Sequence, residues 1–257
     1  MGVWMSKIVV FDSGLGSLSI IKPIQHMSKL EIIYFADQKN FPYGKKSKIQ
    51  LKRIILNRIQ MLNEKFDPEL IVIGSNTPTL LFSDIIKKNI IGVTPPIKEA
   101  EKISQTKKIG ILATKSVVNS NELSHFLNNQ KLSKNTKIIK INASPLVDLV
   151  ESGSFVNNSK KCTTTIKKIL KNIITKNQID VITLSSTHLP FIKKYLQKEF
   201  STVKFIDPGN DVAKLVKKKI KTNLPKNKLC IYTSSDIKQF QRQLSKINIQ
   251  NKVSFLP

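Results

Sequence analysis

With 257 residues, 40% of them apolar, the chain can fill one large core or two smaller ones, and its composition is that of a globular protein rather than a disordered or fibrous one. No apolar run approaches the roughly 20 residues a membrane span needs, and no apolar segment before a small-residue cleavage site marks a secretory leader, so a cytoplasmic protein is expected. The formal charge of +26 would give salt-dependent, non-specific affinity for polyanions. Its carriers are nearly all Lys spread along the chain, with Arg53, Arg58 and Arg242 the only arginines, and without the bidentate Arg fork or a recognition motif no specific nucleic-acid binding is expected.

Met1-Gly2-Val3-Trp4-Met5-Ser6 fits the short myristoylation pattern. The first predicted strand, Ile8-Val9-Val10-Phe11, runs into Asp12-Ser13-Gly14-Leu15-Gly16 and a helix beginning near Ser17. A second apolar run, Ile32-Ile33-Tyr34-Phe35, precedes a polar linker and the turn signal Pro42-Tyr43-Gly44. From Ser47 to Lys65, Leu51, Ile54, Ile55, Ile59 and Leu62 recur at helical spacing. Ile71-Val72-Ile73 then ends in Gly74-Ser75-Asn76-Thr77. Further runs are Ile109-Gly110-Ile111-Leu112, Ile138-Ile139-Lys140-Ile141 and Val181-Ile182-Thr183-Leu184, with a helical segment from Asn158 to Thr175 that carries its Lys outward. Cys162 and Cys230 form neither a metal-ligand spacing nor a disulfide framework. Short apolar runs alternating with helices predict an α/β protein whose parallel sheets are covered on both faces.

The elements recur at an offset of roughly a hundred residues, as in a duplication. Phe11-Asp12-Ser13-Gly14 corresponds to Leu112-Ala113-Thr114-Lys115, and Ile73-Gly74-Ser75-Asn76-Thr77 to Leu184-Ser185-Ser186-Thr187. Ile91-Gly92-Val93-Thr94-Pro95 corresponds to Val203-Lys204-Phe205-Ile206-Asp207-Pro208. Strand ends of this kind also occur by chance in α/β proteins. If the halves face each other, their small-polar turns lie at the carboxyl ends of the sheets, where such sheets bind ligands, and one site between two lobes is expected.

The motifs leave several chemical readings open. Asp12-Ser13-Gly14-Leu15-Gly16 resembles a phosphate loop, but Ser19 stands where the third Gly of Gly-x-Gly-x-x-Gly belongs. Its amides and the following helix N-terminus could instead face an anion, with Asp12 either a cap or a buried acid for proton transfer. Ser75-Asn76-Thr77 and Ser186-Thr187-His188 read as plain helix starts, with Pro78 and Pro190 in the first turn, or as a polar pocket for carboxylates. Glu151 either reaches that pocket or faces water at a helix end. His188 is structural or catalytic, and His26 and His125 look incidental. No metal-ligand pair and no Ser-His-Asp set has diagnostic spacing, so no metal is expected.

Together these segments resemble the glutamate racemases, almost end to end. The resemblance rests on Phe11-Asp12-Ser13-Gly14-Leu15-Gly16, Tyr34-Phe35-Ala36-Asp37 with Pro42-Tyr43-Gly44, Ile73-Gly74-Ser75-Asn76-Thr77, Val150-Glu151-Ser152-Gly153 and Ser186-Thr187-His188-Leu189-Pro190, in order and spacing. It implies two pseudo-symmetric flavodoxin-like lobes, the first spanning 1–97 plus 207–257 and the second 98–206, with an active-site cleft between them. It also implies an isomerase serving a cell-wall precursor, an acidic amino acid as ligand, no cofactor and a homodimer. In that family, cysteines on opposite faces of Cα remove and return its proton. By resemblance Asp12 assists the group at Ser75, and His188 and Glu151 assist the one at Ser186. Ser13, Pro42, Tyr43, Gly44, Asn76, Thr77, Thr114 and Thr187 hold the ligand.

The family reads Cys-Asn-Thr and Cys-Thr-His where this chain has Ser75-Asn76-Thr77 and Ser186-Thr187-His188. A thiol titrates at about 8.5, whereas a Ser hydroxyl is a far weaker acid, and each unit of mismatch costs about 1.4 kcal/mol. Val117 replaces a second pocket Thr; the paired Cys→Ser change is either an engineered trap for bound substrate or natural divergence, and the differing flanks Gly74, Pro78 and Ser185 favour the latter. Three functions follow: a racemase-type enzyme with weakened or altered chemistry; a non-catalytic binder or regulator of an acidic compound; and a polyanion binder acting through its Lys-rich surface.

Overall fold

The computed structural model describes residues 6–221 and 224–257, so most of the myristoylation pattern, Met1 to Met5, lies outside the described residues. The chain divides into two compact units, Met1–Val93 with Gly209–Pro257, and Thr94–Pro208. The first unit opens with β1 (Lys7–Asp12), α1 (Leu18–Met27), β2 (Glu31–Ala36), α2 (Lys48–Phe66), β3 (Leu70–Ile73), α3 (Asn76–Leu81) and β4 (Ile90–Gly92). The second runs through α4 (Ile97–Ile103), β5 (Lys108–Ala113), α5 (Lys115–Val118), α6 (Asn121–Asn129), β6 (Lys137–Asn142), α7 (Ser144–Glu151), α8 (Ser154–Asn157), α9 (Ser159–Asn177), β7 (Val181–Leu184), α10 (Lys193–Glu199) and β8 (Lys204–Ile206). The chain then returns to the first unit with α11 (Gly209–Lys219), β9 (Lys228–Thr233), α12 (Ile237–Lys246) and β10 (Val253–Phe255).

Every strand pairing is parallel. The first sheet has the order β10-β9-β2-β1-β3-β4 and the second β6-β5-β7-β8. Removing β9 and β10 leaves the same winding in both, with β1 matching β5 and β3 matching β7. The predicted strands are all present. β9 and β10 were not among them, although Leu229-Cys230-Ile231-Tyr232 is an apolar run within β9; that strand follows a Lys-rich lead-in and is only half-buried for much of its length. It is held by its register with β2, which pairs Tyr34 with Ile231 and Ala36 with Thr233.

Local chemistry explains the long helices. α2 starts in a capping box, in which the Ser47 side chain accepts from the Gln50 amide and the Gln50 side chain accepts from the Ser47 amide. It buries Leu51, Ile55, Ile59 and Leu62, each contributing on the order of 2 kcal/mol by leaving water. α9 is capped by Asn158, whose side chain accepts from Lys161 at 2.8 Å, and buries Cys162, Ile166 and Leu170 at intervals of one turn. The crossings fall at Val93–Thr94 and Pro208–Gly209, a few residues from the 97–98 and 206–207 expected. The first shift follows from α4, whose Ala100 and Ile103 pack with Ile109 and Val181 of the second unit.

Candidate active-site residues

In the first unit the pairing of β1 with β2 and β3 brings three strand ends side by side. Phe11 lies opposite Ile73 and Asp12 opposite Ala36. Two hydrogen bonds close the edge: the Gly74 amide donates to the Phe11 carbonyl and the Asp37 amide to the Asp12 carbonyl, both at 2.7 Å. Asp12-Ser13, Asp37 and Gly74-Ser75-Asn76 therefore share one carboxyl edge. The second unit repeats the arrangement, with the Ser185 amide donating to Leu112 at 2.9 Å and the Ala143 amide to Ala113 at 2.7 Å. Thr114 and Ser185-Ser186-Thr187 thus take the equivalent edge there.

Asp12 is buried and accepts the Ser13 amide at 2.7 Å. It does not cap α1, whose N-cap position is Ser17. The helix is also a poorer anion site than its sequence suggests. Its Leu18, Ser19 and Ile20 amides are already bonded to the carbonyls of Leu15, Gly16 and Ser17, each at 3.1 Å. Ser13 is buried and Ser75 half-buried, and Ser75 starts α3 without its side chain capping the helix. Asn76 is 3% exposed, and neither its amide nitrogen nor its carbonyl oxygen has a hydrogen-bond partner. Buried carboxamides left open in this way are rare in folded proteins. Thr77 is buried beside it.

The Pro42-Tyr43-Gly44 turn is tied to a buried carboxylate that the sequence does not single out. Asp37 is fully buried and accepts from the Asn40 amide group at 2.8 and 3.0 Å, from Tyr43 Oη at 3.1 Å and from Ser234 Oγ at 3.1 Å. Arg58 Nε lies 3.2 Å from Asp37 Oδ1, and its guanidinium stands over the Phe35 ring. Burial, with the Asp37 and Asp12 carboxylates nearby, pushes the Tyr43 hydroxyl well above its ordinary range. Tyr43 is thereby kept as a donor to Asp37. Asp37 belongs to a motif already noted, but Arg58 and Ser234 carry no local signal.

In the second unit His188 Nε2 and Glu151 Oε2 are 2.9 Å apart, with both side chains more than nine-tenths buried. Glu151 is therefore not a water-facing residue at the end of α7, and His188 is paired with a carboxylate. Ser186 and Thr187 are buried on the same turn. Pro190 lies in the first turn of the short helix that follows, as predicted. Thr114, at the start of α5, is half-buried with Oγ1 3.2 Å from Ser116 Oγ, and Val117 is buried. Cys162 is buried within α9, which pushes its thiol up to about 11, and Cys230 lies in β9. Among the described residues no group of three or more His, Cys, Asp and Glu is placed to hold a metal ion, and no helix is long and apolar enough to cross a membrane.

Two parallel α/β units of matching strand order, each with small-polar groups at the carboxyl edge of its sheet, define a doubly repeated α/β protein. Comparison with known proteins makes this narrower. The glutamate racemase of Actinobacillus pleuropneumoniae serotype 5b is 30% identical over 249 residues, 92% of each chain. That of Buchnera aphidicola subsp. Schizaphis graminum is 32% identical, over 90% of this chain and 93% of its own. The chain belongs to the glutamate racemase family. Among solved structures, the Escherichia coli glutamate racemase in complex with L-glutamate and the activator UDP-MurNAc-Ala has the same fold, with a TM-score of 0.83 at 22% identity over 98% of both chains. No protein-family model matches the chain.

Proposed function

We propose that this protein binds glutamate or a related acidic compound and exchanges its Cα proton without a cofactor. The rate is lowered because Ser75 and Ser186 stand at the family's proton-transferring cysteine positions. The observation that carries the reading is Asn76: a buried carboxamide with an unpartnered donor and an unpartnered acceptor suits a ligand that offers both carboxylate and ammonium groups. L-Glutamate in the Escherichia coli relative supports the same ligand class.

In this reading Asp12 accepts and returns the proton that passes through Ser75, and His188, oriented by Glu151 at 2.9 Å, serves Ser186. Removal of the Cα proton leaves an electron pair delocalised into the carboxylate, and reprotonation from the other side inverts the centre. Ser13, Pro42, Tyr43, Gly44, Thr77, Thr114 and Thr187 complete the ligand's contacts. The two cysteines, in α9 and β9, are not at these strand ends, so no thiol replaces the missing pair. That favours, as the second reading, a binder without turnover. Each unit of pKa mismatch slows proton transfer about tenfold.

The test is proton NMR of L- and D-glutamate in D₂O, following loss of the Cα signal. Asp12→Asn and His188→Asn serve as controls against a contaminating racemase, and Ser75→Cys/Ser186→Cys as the gain-of-function arm. Slow exchange abolished by the controls and raised by the double Cys variant supports the enzyme. Binding without exchange supports the second reading, and neither binding nor exchange refutes both. A homodimer belongs to the same proposal and is checked by light scattering.

A further inference from the structure

Ser17 is a second buried polar side chain in the first unit with no hydrogen-bond partner, and the reading above does not use it. It is 0% exposed and occupies the N-cap position of α1, yet its side chain caps nothing. Its backbone is already helical, at φ −70° and ψ −8°, whereas a capping hydroxyl sits on extended backbone. The first-turn amides it could have served are bonded to carbonyls, as described above.

The side chain instead lies against the backbone of Gly74. A Cβ at position 74 would come within 2.2 Å of Ser17 Cβ and 2.9 Å of Ser17 Oγ. Gly74 is fixed by its bond to the Phe11 carbonyl and is followed directly by Ser75 and Asn76. The missing side chain at 74 is thus what admits Ser17 to this strand end. Packing alone would be served equally by Ala at position 17, which has the same Cβ and no hydroxyl to leave unpaired. A buried hydroxyl without a partner is unfavourable, and the large majority of buried polar groups in native proteins have a protein or ordered-water partner.

We propose that Ser17 is a ligand-binding residue of the first unit, its hydroxyl hydrogen-bonding an oxygen of the acidic ligand directly or through one bound water. Ser17 and Gly74 act as a pair, the small residue making room for the polar one. The inference rests on the acidic-ligand reading of Asn76. It adds a specificity-determining contact that the motifs carried over by resemblance do not contain.

The experiment measures L-glutamate, D-glutamate and L-aspartate binding by titration calorimetry, together with ligand-free melting temperature, for the wild type, Ser17→Ala and Asn76→Ala. Ser17→Gly is a second variant that removes the same hydroxyl if Ser17→Ala does not fold. The expected result is about a tenfold weaker affinity in the Ser17 variant, the size of one hydrogen bond to a charged group, with the ligand-free melting temperature of Ser17→Ala unchanged or raised. Binding that is lost in Asn76→Ala but intact in Ser17→Ala overturns this inference alone. So does a fall in ligand-free melting temperature with affinity preserved, which would make the hydroxyl structural. Absence of binding by the wild type, or binding indifferent to Asn76→Ala, overturns the acidic-ligand reading and this inference with it.

Discussion

Replacing Gly74 with Ala is expected to be among the most damaging single-methyl changes in the first unit. The new methyl would lie 2.2 Å from Ser17 Cβ, 2.9 Å from Ser17 Oγ and 3.1 Å from the Phe11 carbonyl oxygen. Carbon atoms in contact rest at roughly 3.5–4.0 Å. Rotation about χ1 cannot relieve the overlap, because Ser17 Cβ is fixed to its own backbone and Gly74 to Phe11 by a 2.7 Å hydrogen bond. The end of β3 and the start of α1 must separate, and overpacking of this kind costs about 1–3 kcal/mol. The reduced freedom of the unfolded Ala chain offsets roughly 0.5 kcal/mol of that. A net loss of about 1.5 kcal/mol corresponds to a melting temperature lower by about 3–6 °C. Ser17→Gly removes the atom that the methyl strikes, so the double variant should regain most of the loss, a coupling of about 1.5 kcal/mol in a double-mutant cycle. Urea unfolding of the four proteins, followed by far-ultraviolet circular dichroism, measures it. Wild-type stability in Gly74→Ala, or a double variant no better than Gly74→Ala, would refute the argument.

Arg58→Met should cost about 3 kcal/mol or more, because it leaves the Asp37 carboxylate buried without its cation. Asp37→Asn should cost less than Arg58→Met, and a larger loss for Asp37→Asn in urea unfolding would contradict that ordering. The same Arg58 variant should weaken glutamate binding, since Tyr43 and its turn hang on Asp37; calorimetric titration checks this. Cys162, with its thiol at about 11, should hold about a hundredfold less thiolate at pH 8.5 than an ordinary thiol. Its alkylation by iodoacetamide should therefore be slow in the folded protein, speed up as pH rises toward 11, and become ordinary on unfolding. Rapid modification of Cys162 at pH 8.5, identified by peptide mass, would contradict the burial.

What the sequence determines by itself is whatever local pattern encodes. The apolar runs mark β1 to β3, β5 and β7 because a parallel strand covered on both faces needs apolar side chains on both, whereas β6, at the edge of its sheet, is largely exposed or half-buried despite its run. The spacing of Leu51, Ile55, Ile59 and Leu62 marks α2 because it places one stripe against a core. The internal repeat indicated that Asp12, Ser75, Thr114 and Ser186 belong to equivalent strand ends, and the matching order of the two sheets bears this out.

Tertiary structure decided the partners. The sequence left Glu151 between pocket and water, and only the packing of α7 in its unit buries it against His188. Asp37 joins Asn40, Tyr43, Arg58 and Ser234, the last of them contributed from beyond the whole second unit, and no periodicity records such a meeting. Ser17 and Gly74 read as a helix start and a turn glycine until β1 and β3 bring their backbones together. Asn76 reads as a helix start or as part of a polar pocket, and only the fold removes water from it without supplying a partner. Secondary structure is written in neighbours along the chain, where side-chain period and propensity act. A site depends on burial and on donor-acceptor distances between residues far apart in sequence, and these exist only once the sheets have formed.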